Sequence, residues 1–484
     1  MKAPPTDRLL LLNQAPKAKA VIKGSNTFNF EGLTKKVLSS ASVLLEKGIS
    51  KNDPVGIYGP NSPDYLIIIL ALWQIGGIPV PLNTRLSKEE LLEQIKTSKC
   101  KHVLISRELD FNNDDSWIKM IEFPSFEENV KRVNQKTEID LGATAVIIFT
   151  SGSGKSPKGV ELSFNSLYQS GFNSNKLLRY SHSDRWLLSL PLYHIGGFSI
   201  LVRSILWGIP IIFPHSFSPD DIIIELKNSQ PTFISLVAAQ LKTLIDKKIL
   251  PNPGLKNCLL GGGFSNYELV RKAIDLGYPI NIVYGSTETS SFVTALLTEE
   301  FQVKRNSAGR ALPPSNIFIY DENGIELKSY EIGEIAIQSS SLMKGYINQK
   351  HFEKSFRNGI YFSGDIGYLD EEGYLFIVGR KNHLISTGGE NVNPAEVESA
   401  LLQHHEISEA IVFPLKDLKW GEIVAAAVVL KSKSGKVTFD ELRIFLEERI
   451  SKFKIPKKIF FEKELPKTEL GKVERNELIK NYIL

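Results

Sequence analysis

From Val55 onward the apolar residues fall into short, unbroken runs separated by stretches with one polar face. The series is VGIY, a turn at GPNSP, then DYLIIILALWQI, a glycine pair, IPVPL, the amphipathic SKEELLEQIKTS and HVLI. Unbroken runs of strand length suit strands buried on both faces, and the helical stretches between them suit crossover helices, so the pattern predicts βαβ units and mostly parallel sheets. The same rhythm resumes at ATAVIIFT and continues through PTFISLV, NCLLGGG and PINIVYG. In open α/β sheets ligands lie beyond the carboxyl ends of the strands, which directs attention to the loops after Phe149, Leu260 and Val283. After the first of these loops GVELSFNSLYQSG reads as a helix.

From about Ile317 the texture changes to short strands and turns (FIYDENG, GEIAIQS, GYLDEEGYLFIVGR), the pattern of a small antiparallel β unit. It changes again after Arg380. NPAEVESALLQ carries a helix start, with Asn393 as N-cap, Pro394 in the first turn and Glu396 placed to close a capping box. Two strands, the helix FDELRIFLEERIS, a further strand and a polar end follow. The chain of 484 residues is too long for one core. The expected fold class is α/β: a large N-terminal body of mostly parallel sheets with a small β unit, residues 1–380, and a small mobile C-terminal α+β domain, residues 381–484.

Composition narrows the function. With 42% hydrophobic and 23% charged residues the chain is an ordinary globular one, and a net charge of +4 spread among acids gives no footprint for nucleic acid or an anionic membrane. The longest apolar stretch, YLIIILALWQIGGIPVPL, is broken by Gln74, two glycines and two prolines, so a buried helix and strand are expected rather than a membrane anchor. The N-terminal apolar run is too short for a signal peptide. Cys100 and Cys258 stand far apart without a partner motif, which argues against disulfides and zinc and for a cytoplasmic setting. Small-molecule partners are expected, and a monomer and a homo-oligomer are equally compatible with the sequence.

The stretch FTSGSGKSPKGVE contains GSGKS, the lettering of an ATPase phosphate loop. Such a loop needs a glycine five residues ahead of the Gly-Lys pair so that the backbone can wrap the phosphates, and Phe149 stands there instead. What remains is a strand emptying into a loop rich in glycine, hydroxyls and lysine, which can still hold phosphate.

TSGSGKSPKGV resembles the phosphate loop of the superfamily of acyl- and aryl-CoA synthetases, luciferases and peptide-synthetase adenylation domains. The resemblance runs through PLYHIGG, LGGG, YGSTE, FSGDIGY, GRKNHLISTGGENVNPAEVE and LPKTELGKVERNEL, in the family's order. Gly154, Lys155 and Ser156 depart from it, standing where the family has a hydroxyl, a glycine and a variable residue. Membership implies ATP, Mg²⁺ and coenzyme A as ligands and a two-step reaction. A carboxylate attacks the α-phosphate of ATP to give acyl-AMP and pyrophosphate, and CoA then takes the acyl group.

Residue by residue, the resemblance implies that Thr150, Ser151, Gly152, Ser153, Lys158, Gly262, Gly263, Gly285 and Ser286 cradle ATP. Tyr284 would stack on adenine, Thr287 contact phosphate and Glu288, with Thr150, hold the metal; a hard cation beside phosphates suits a carboxylate oxygen. Asp365 would accept the two ribose hydroxyls, with Arg380 near the ribose and phosphate. Lys472 would enter the site from the C-terminal domain and bridge the acid and the α-phosphate as charge develops. Asn382 occupies the hinge position, and Gly388, Gly389 and Glu390 would meet CoA.

For the acid, the resemblance implies a channel lined by His194, Gln240 and Gly261. Within the superfamily, DRWLLSLPLYHIGGFSILVRSILWG, PLNTRLS and LLGGG are similar to the o-succinylbenzoate-CoA ligases of menaquinone biosynthesis. Their acid has two carboxylates, and Arg203 is the candidate for the one not activated; its ordinary alternative is a solvated helix-face arginine. Other aryl- or fatty-acyl-CoA ligases, a stand-alone enzyme loading a carrier protein, a P-loop ATPase and an inactive nucleotide-binding protein remain as alternatives.

Overall fold

A computed structural model describes residues 6–106, 117–124, 133–134, 138–150, 158–263, 267–348, 355–381, 385–387, 390–417, 421–431 and 437–467, with residues 473, 478 and 482. Ser151, Gly152, Ser153, Gly154, Lys155, Ser156, Asn382, Gly388, Gly389 and Lys472 lie outside the described residues.

The fold is mixed α/β, with parallel pairing dominating the body. In the largest sheet the strands Ile280–Ser286, Asn257–Leu260, Phe233–Leu236, Trp186–Leu187, Ile211–Ile212 and Lys19–Lys23 run parallel side by side. The antiparallel strands Ser291–Leu296 and Arg310–Ala311 close one edge and Asn26–Asn29 the other. A second sheet, Ile78–Pro81, Pro54–Tyr58, His102–Ile105 and Lys119–Glu122, is parallel throughout.

Between these sheets helix Pro63–Ile75 is buried from Tyr65 to Gln74. Its ends are written locally: the Ser62 side chain accepts from the Tyr65 N–H, Pro63 opens the first turn, and Gly76 closes it at φ 79°. Its faces are apolar all round, so it can only be an inner helix. Trp73, fully buried, donates its indole N–H to the Ala145 carbonyl at 2.8 Å and packs edge-on against Phe164 and Phe198.

Two sequence expectations change here. ATAVIIFT does not join a parallel sheet: strand Thr144–Thr150 pairs antiparallel with Lys158–Ser163, which pairs with Gly345–Tyr346. Seven residues between the first two strands are too few for a parallel crossover, which takes about a dozen, so these two strands are the arms of a hairpin. GVELS is therefore strand, with Val160 and Leu162 buried and Glu161 and Ser163 less so. The helix begins only at Phe164, capped by the Ser163 hydroxyl on the Ser166 N–H at 3.0 Å.

The small β unit is antiparallel as expected, Asn316–Tyr320, Gly333–Gln338, Ile360–Leu369 and Phe356–Arg357, with Leu375–Arg380 on the other side of the long strand. From Ile385 a further sheet forms around the long hairpin of Ile407–Asp417 and Gly421–Leu430, with Lys458–Glu462 added in parallel, and it carries its own apolar core. Helix Pro394–Leu402 starts as expected, with Asn393 accepting from the Ala395 N–H. Glu396 does not close a capping box, because Lys454 takes its carboxylate at 2.7 and 2.8 Å.

Trp73 ties the inner helix to the hairpin that carries the phosphate loop. Trp73→Ala is expected to cost about 3–5 kcal/mol in urea unfolding. Trp73→Phe, which keeps a ring and loses the N–H, should cost clearly less; equal losses would mean that the ring volume is not what the fold uses.

Candidate active site

Strand Ile280–Ser286 runs three residues past Val283, where the sequence pattern ends it, and so takes in Tyr284, Gly285 and Ser286; Thr287 and Glu288 follow in a single helical turn. Gly285 is opposite Phe292 in register, and a Cβ on it would lie 2.1 Å from the Ser291 carbonyl oxygen, so only glycine allows this approach. The Tyr284 hydroxyl donates to Asp365 Oδ2 at 2.8 Å, and Arg380 Nε donates to Oδ1 at 2.7 Å. Asp365 and Arg380 are cross-strand partners of the small β unit, so one carboxylate fastens that unit to the large sheet. Burial, and then the carboxylate, holds the Tyr284 phenol well above its ordinary pKa. Burial alone would lower the pKa of Arg380, but Asp365 more than offsets it. Each carboxylate oxygen keeps a further lone pair, so Asp365 can accept ribose hydroxyls without losing either partner.

On the other side of the loop Glu288 is 9% exposed. Its Oε1 accepts from the Tyr346 hydroxyl at 2.8 Å, leaving the second oxygen of the carboxylate to offer a cation. Lys158 Nζ lies 5.8 Å from the centre of the Tyr346 ring, and Lys158 pairs with Thr150 across the base of the phosphate loop. The Ser286 hydroxyl is buried without a partner among the described residues. No group of three His, Cys, Asp or Glu side chains comes together among those residues. A single carboxylate with one oxygen to offer fits magnesium, which is usually shared between a carboxylate or two and substrate phosphates.

Next to strand Ile280–Ser286 lie Gly261, assigned to the acid, and Gly262 and Gly263, assigned to ATP. Gly261 leaves the adjacent strand beside Val283, Gly262 has φ 84°, and the space over Gly263 is open. Gln240 has its amide committed to backbone, accepting from the Val237 N–H at 3.2 Å and donating to the Ser189 carbonyl at 3.0 Å, so it braces this flank. His194 precedes helix Ile195–Trp207 without a side-chain bond to it, its ring 4.7 Å from that of Tyr193, and burial lowers its pKa to about 4.

Arg203 lies nine residues on, about 13 Å along the helix axis. The solvated-arginine reading of it is wrong: Arg203 is 2% exposed. Its guanidinium stands 4.6 Å from the Phe292 ring and 5.8 Å from Trp186. Nη1 donates to the Ser199 hydroxyl at 3.0 Å, while Nε and Nη2 are buried without a partner among the described residues. Phe292, whose ring it meets, is the cross-strand partner of Gly285.

Tyr346 and Tyr361, both buried, are site residues that sequence reasoning passed over. The only available signal was a lone aromatic in KGYINQ, and nothing local linked it to Glu288, 58 residues away.

Comparison with known proteins follows the same outline. Residues 11–347 match the family model described as AMP-binding enzyme, and residues 396–472 match the AMP-binding enzyme C-terminal domain. A 2-succinylbenzoate–CoA ligase of Bacillus cereus (strain ZK / E33L) is 33% identical over 96% of this chain and 95% of its own. The o-succinylbenzoate CoA synthetase of Bacillus subtilis in complex with its acyl-adenylate intermediate superposes with a TM-score of 0.91 at 32% identity, covering 99% of this chain and 98% of that one. The same synthetase with ATP and magnesium ion gives 0.90, again at 32% identity, with 99% of each chain covered. With most of its length matched by the family model and by relatives of this identity, the chain belongs to the AMP-binding enzyme family.

Proposed function

We propose that this protein is an ATP-dependent ligase that joins 2-succinylbenzoate to coenzyme A, a step of menaquinone biosynthesis. Arg203 carries the choice of acid. A buried guanidinium without a carboxylate of its own is costly, and it is tolerated where a ligand brings the missing charge. An acid with two carboxylates can do so, using one group in the reaction and the other against Arg203. Fatty acids and simple benzoates have only the reacting group.

In the first step a carboxylate oxygen bonds to the α-phosphorus of ATP while the bond to pyrophosphate breaks; in the second, the CoA thiolate takes the acyl carbon and AMP departs. Tyr284, Asp365 and Arg380 would hold adenosine, and Lys158, Thr150, Ser151, Gly152 and Ser153 the phosphates. Glu288 would hold magnesium, which when bound neutralises charge on the phosphates. Lys472 would meet the charge developing at the α-phosphate, Asn382 would serve as the hinge, and Gly388, Gly389 and Glu390 would lie along CoA. Residues 381–484 would be the moving lid. ATP and CoA place the reaction in the cytoplasm.

With ATP, Mg²⁺, CoA and 2-succinylbenzoate the expected products are the aroyl-substituted acyl-CoA, AMP and pyrophosphate, identified by mass spectrometry. AMP with a different acyl-CoA from a mixed acid panel would reassign the substrate, and ADP would refute the adenylation chemistry.

A neutral His194 suits an apolar channel wall, and its neutrality affects stability. Below about pH 6.5 the unfolded chain takes up a proton that the folded chain refuses until about pH 4, so the stability His194 contributes is present above 6.5 and is lost as pH falls through that window. His194→Gln should make the decline of the thermal midpoint between pH 6.5 and 4 shallower than in the parent. Parallel curves would show that the imidazole is already protonated in the folded protein.

A further inference from the structure

Tyr346 belongs to no motif used so far, yet it touches both halves of the phosphate region. Its hydroxyl donates to Glu288 Oε1, and Lys158 stands over its ring. The Tyr346 backbone belongs to a short strand paired with Lys158–Ser163, the strand that leaves the phosphate loop. On either side of it, the Ile347 N–H donates to the Gly159 carbonyl at 2.9 Å and the Lys344 N–H to the Glu161 carbonyl at 2.8 Å. The Met343 N–H reaches the other half of the site, donating to the Glu288 carbonyl at 2.7 Å. Residues 343–347 thus span from the carboxylate loop to the base of the phosphate loop, gripping Glu288 by both backbone and side chain. The small β unit stands next to this arrangement: the hydroxyl of Tyr361, buried on strand Ile360–Leu369, and that of Ser355 both act on the Tyr346 phenol.

We propose that Tyr346 is a positioning residue that aims the Glu288 carboxylate at the metal accompanying ATP and sets its spacing from Lys158. This rests on the reading of Glu288 as the metal carboxylate. A buried carboxylate with both oxygens free could rotate between several orientations, and each reorientation would have to be reversed before a cation could bind. With Oε1 held by the Tyr346 phenol and the Glu288 carbonyl held by the Met343 N–H, one orientation is kept in advance and Oε2 is the oxygen left to the cation. Partners of this kind, one bond removed from a metal, typically change its affinity by about 10- to 100-fold. The ring contributes separately, since an ammonium over an aromatic face is attracted to it.

The test is equilibrium binding of Mn²⁺ to the protein with ATP, following free Mn²⁺ by electron paramagnetic resonance, so that no turnover is read. Tyr346→Phe keeps the ring and loses the hydroxyl; it should weaken Mn²⁺ binding at least about tenfold while leaving the affinity for metal-free ATP unchanged. Added to Glu288→Gln, it should weaken binding no further, since the group it positions is already altered. Mn²⁺ affinity at the parental value in Tyr346→Phe, with Glu288→Gln weakened, would overturn the inference and leave the site reading standing. Glu288→Gln at the parental value would remove the site reading itself. Equal weakening of metal-free ATP and of Mn²⁺ would show a merely structural phenol and also overturn the inference. If Tyr346→Phe does not fold, Tyr361→Phe removes the neighbouring hydroxyl that acts on the Tyr346 phenol and should weaken Mn²⁺ binding by a smaller factor; no change there counts against the proposal.

Discussion

A charge taken out of water has to be answered by another charge or by hydrogen bonds, and this requirement organises the centre of the molecule. Asp365 is answered by Tyr284 and Arg380. Glu288 is answered on one oxygen by Tyr346. The Arg203 guanidinium, as deeply buried as either, has one serine hydroxyl and two aromatic faces and no carboxylate among the described residues. On the proposed reading, the two carboxylates would serve a nucleotide and its cation, and the arginine an anion that arrives with the substrate. Removing any of these polar groups costs more than the bond it makes, because its partner is left buried and unpaired.

The same contacts join the pieces of the fold. The large sheet provides Tyr284 and Glu288, the hairpin Lys158, and the small antiparallel unit Asp365, Arg380 and Tyr361. Three sheets thus meet at one set of loops, and the polar groups that would bind ATP are also those that hold the sheets in register with one another. Arg203 reaches the assembly from behind, through Phe292, whose strand pairs with the one carrying Gly285.

Much of this was legible in the sequence because its signals are local. Unbroken runs such as FISL and CLL are parallel strands buried on both faces, and Ser62, Pro63 and Gly76 mark both ends of the inner helix. Strand polarity located the end of Ile280–Ser286 to within three residues. The hairpin around the phosphate loop was not legible, because a buried apolar run such as AVIIF looks the same whether its neighbour runs parallel or antiparallel; the short connection was the usable clue. Arg203 had a signal of its own, since Ile200, Leu206 and Trp207 surround it at helical spacing, which argues for burial rather than a wet face. The link from Tyr346 to Glu288 had none, as it depends on tertiary pairing between distant segments.

The most direct test of the account compares acyl-adenylate formation from 2-succinylbenzoate with that from the monocarboxylate that keeps the reacting group and lacks the other, in the parent protein and in Arg203→Met. Loss of a buried charge partner costs about 2 kcal/mol or more, so the parent should prefer the dicarboxylate by roughly 30-fold or more in kcat/KM. In Arg203→Met that preference should collapse toward unity, with the rate on the monocarboxylate little changed. A parent that does not discriminate, or a variant that discriminates as strongly as the parent, would contradict the assignment of Arg203 and with it the choice of acid.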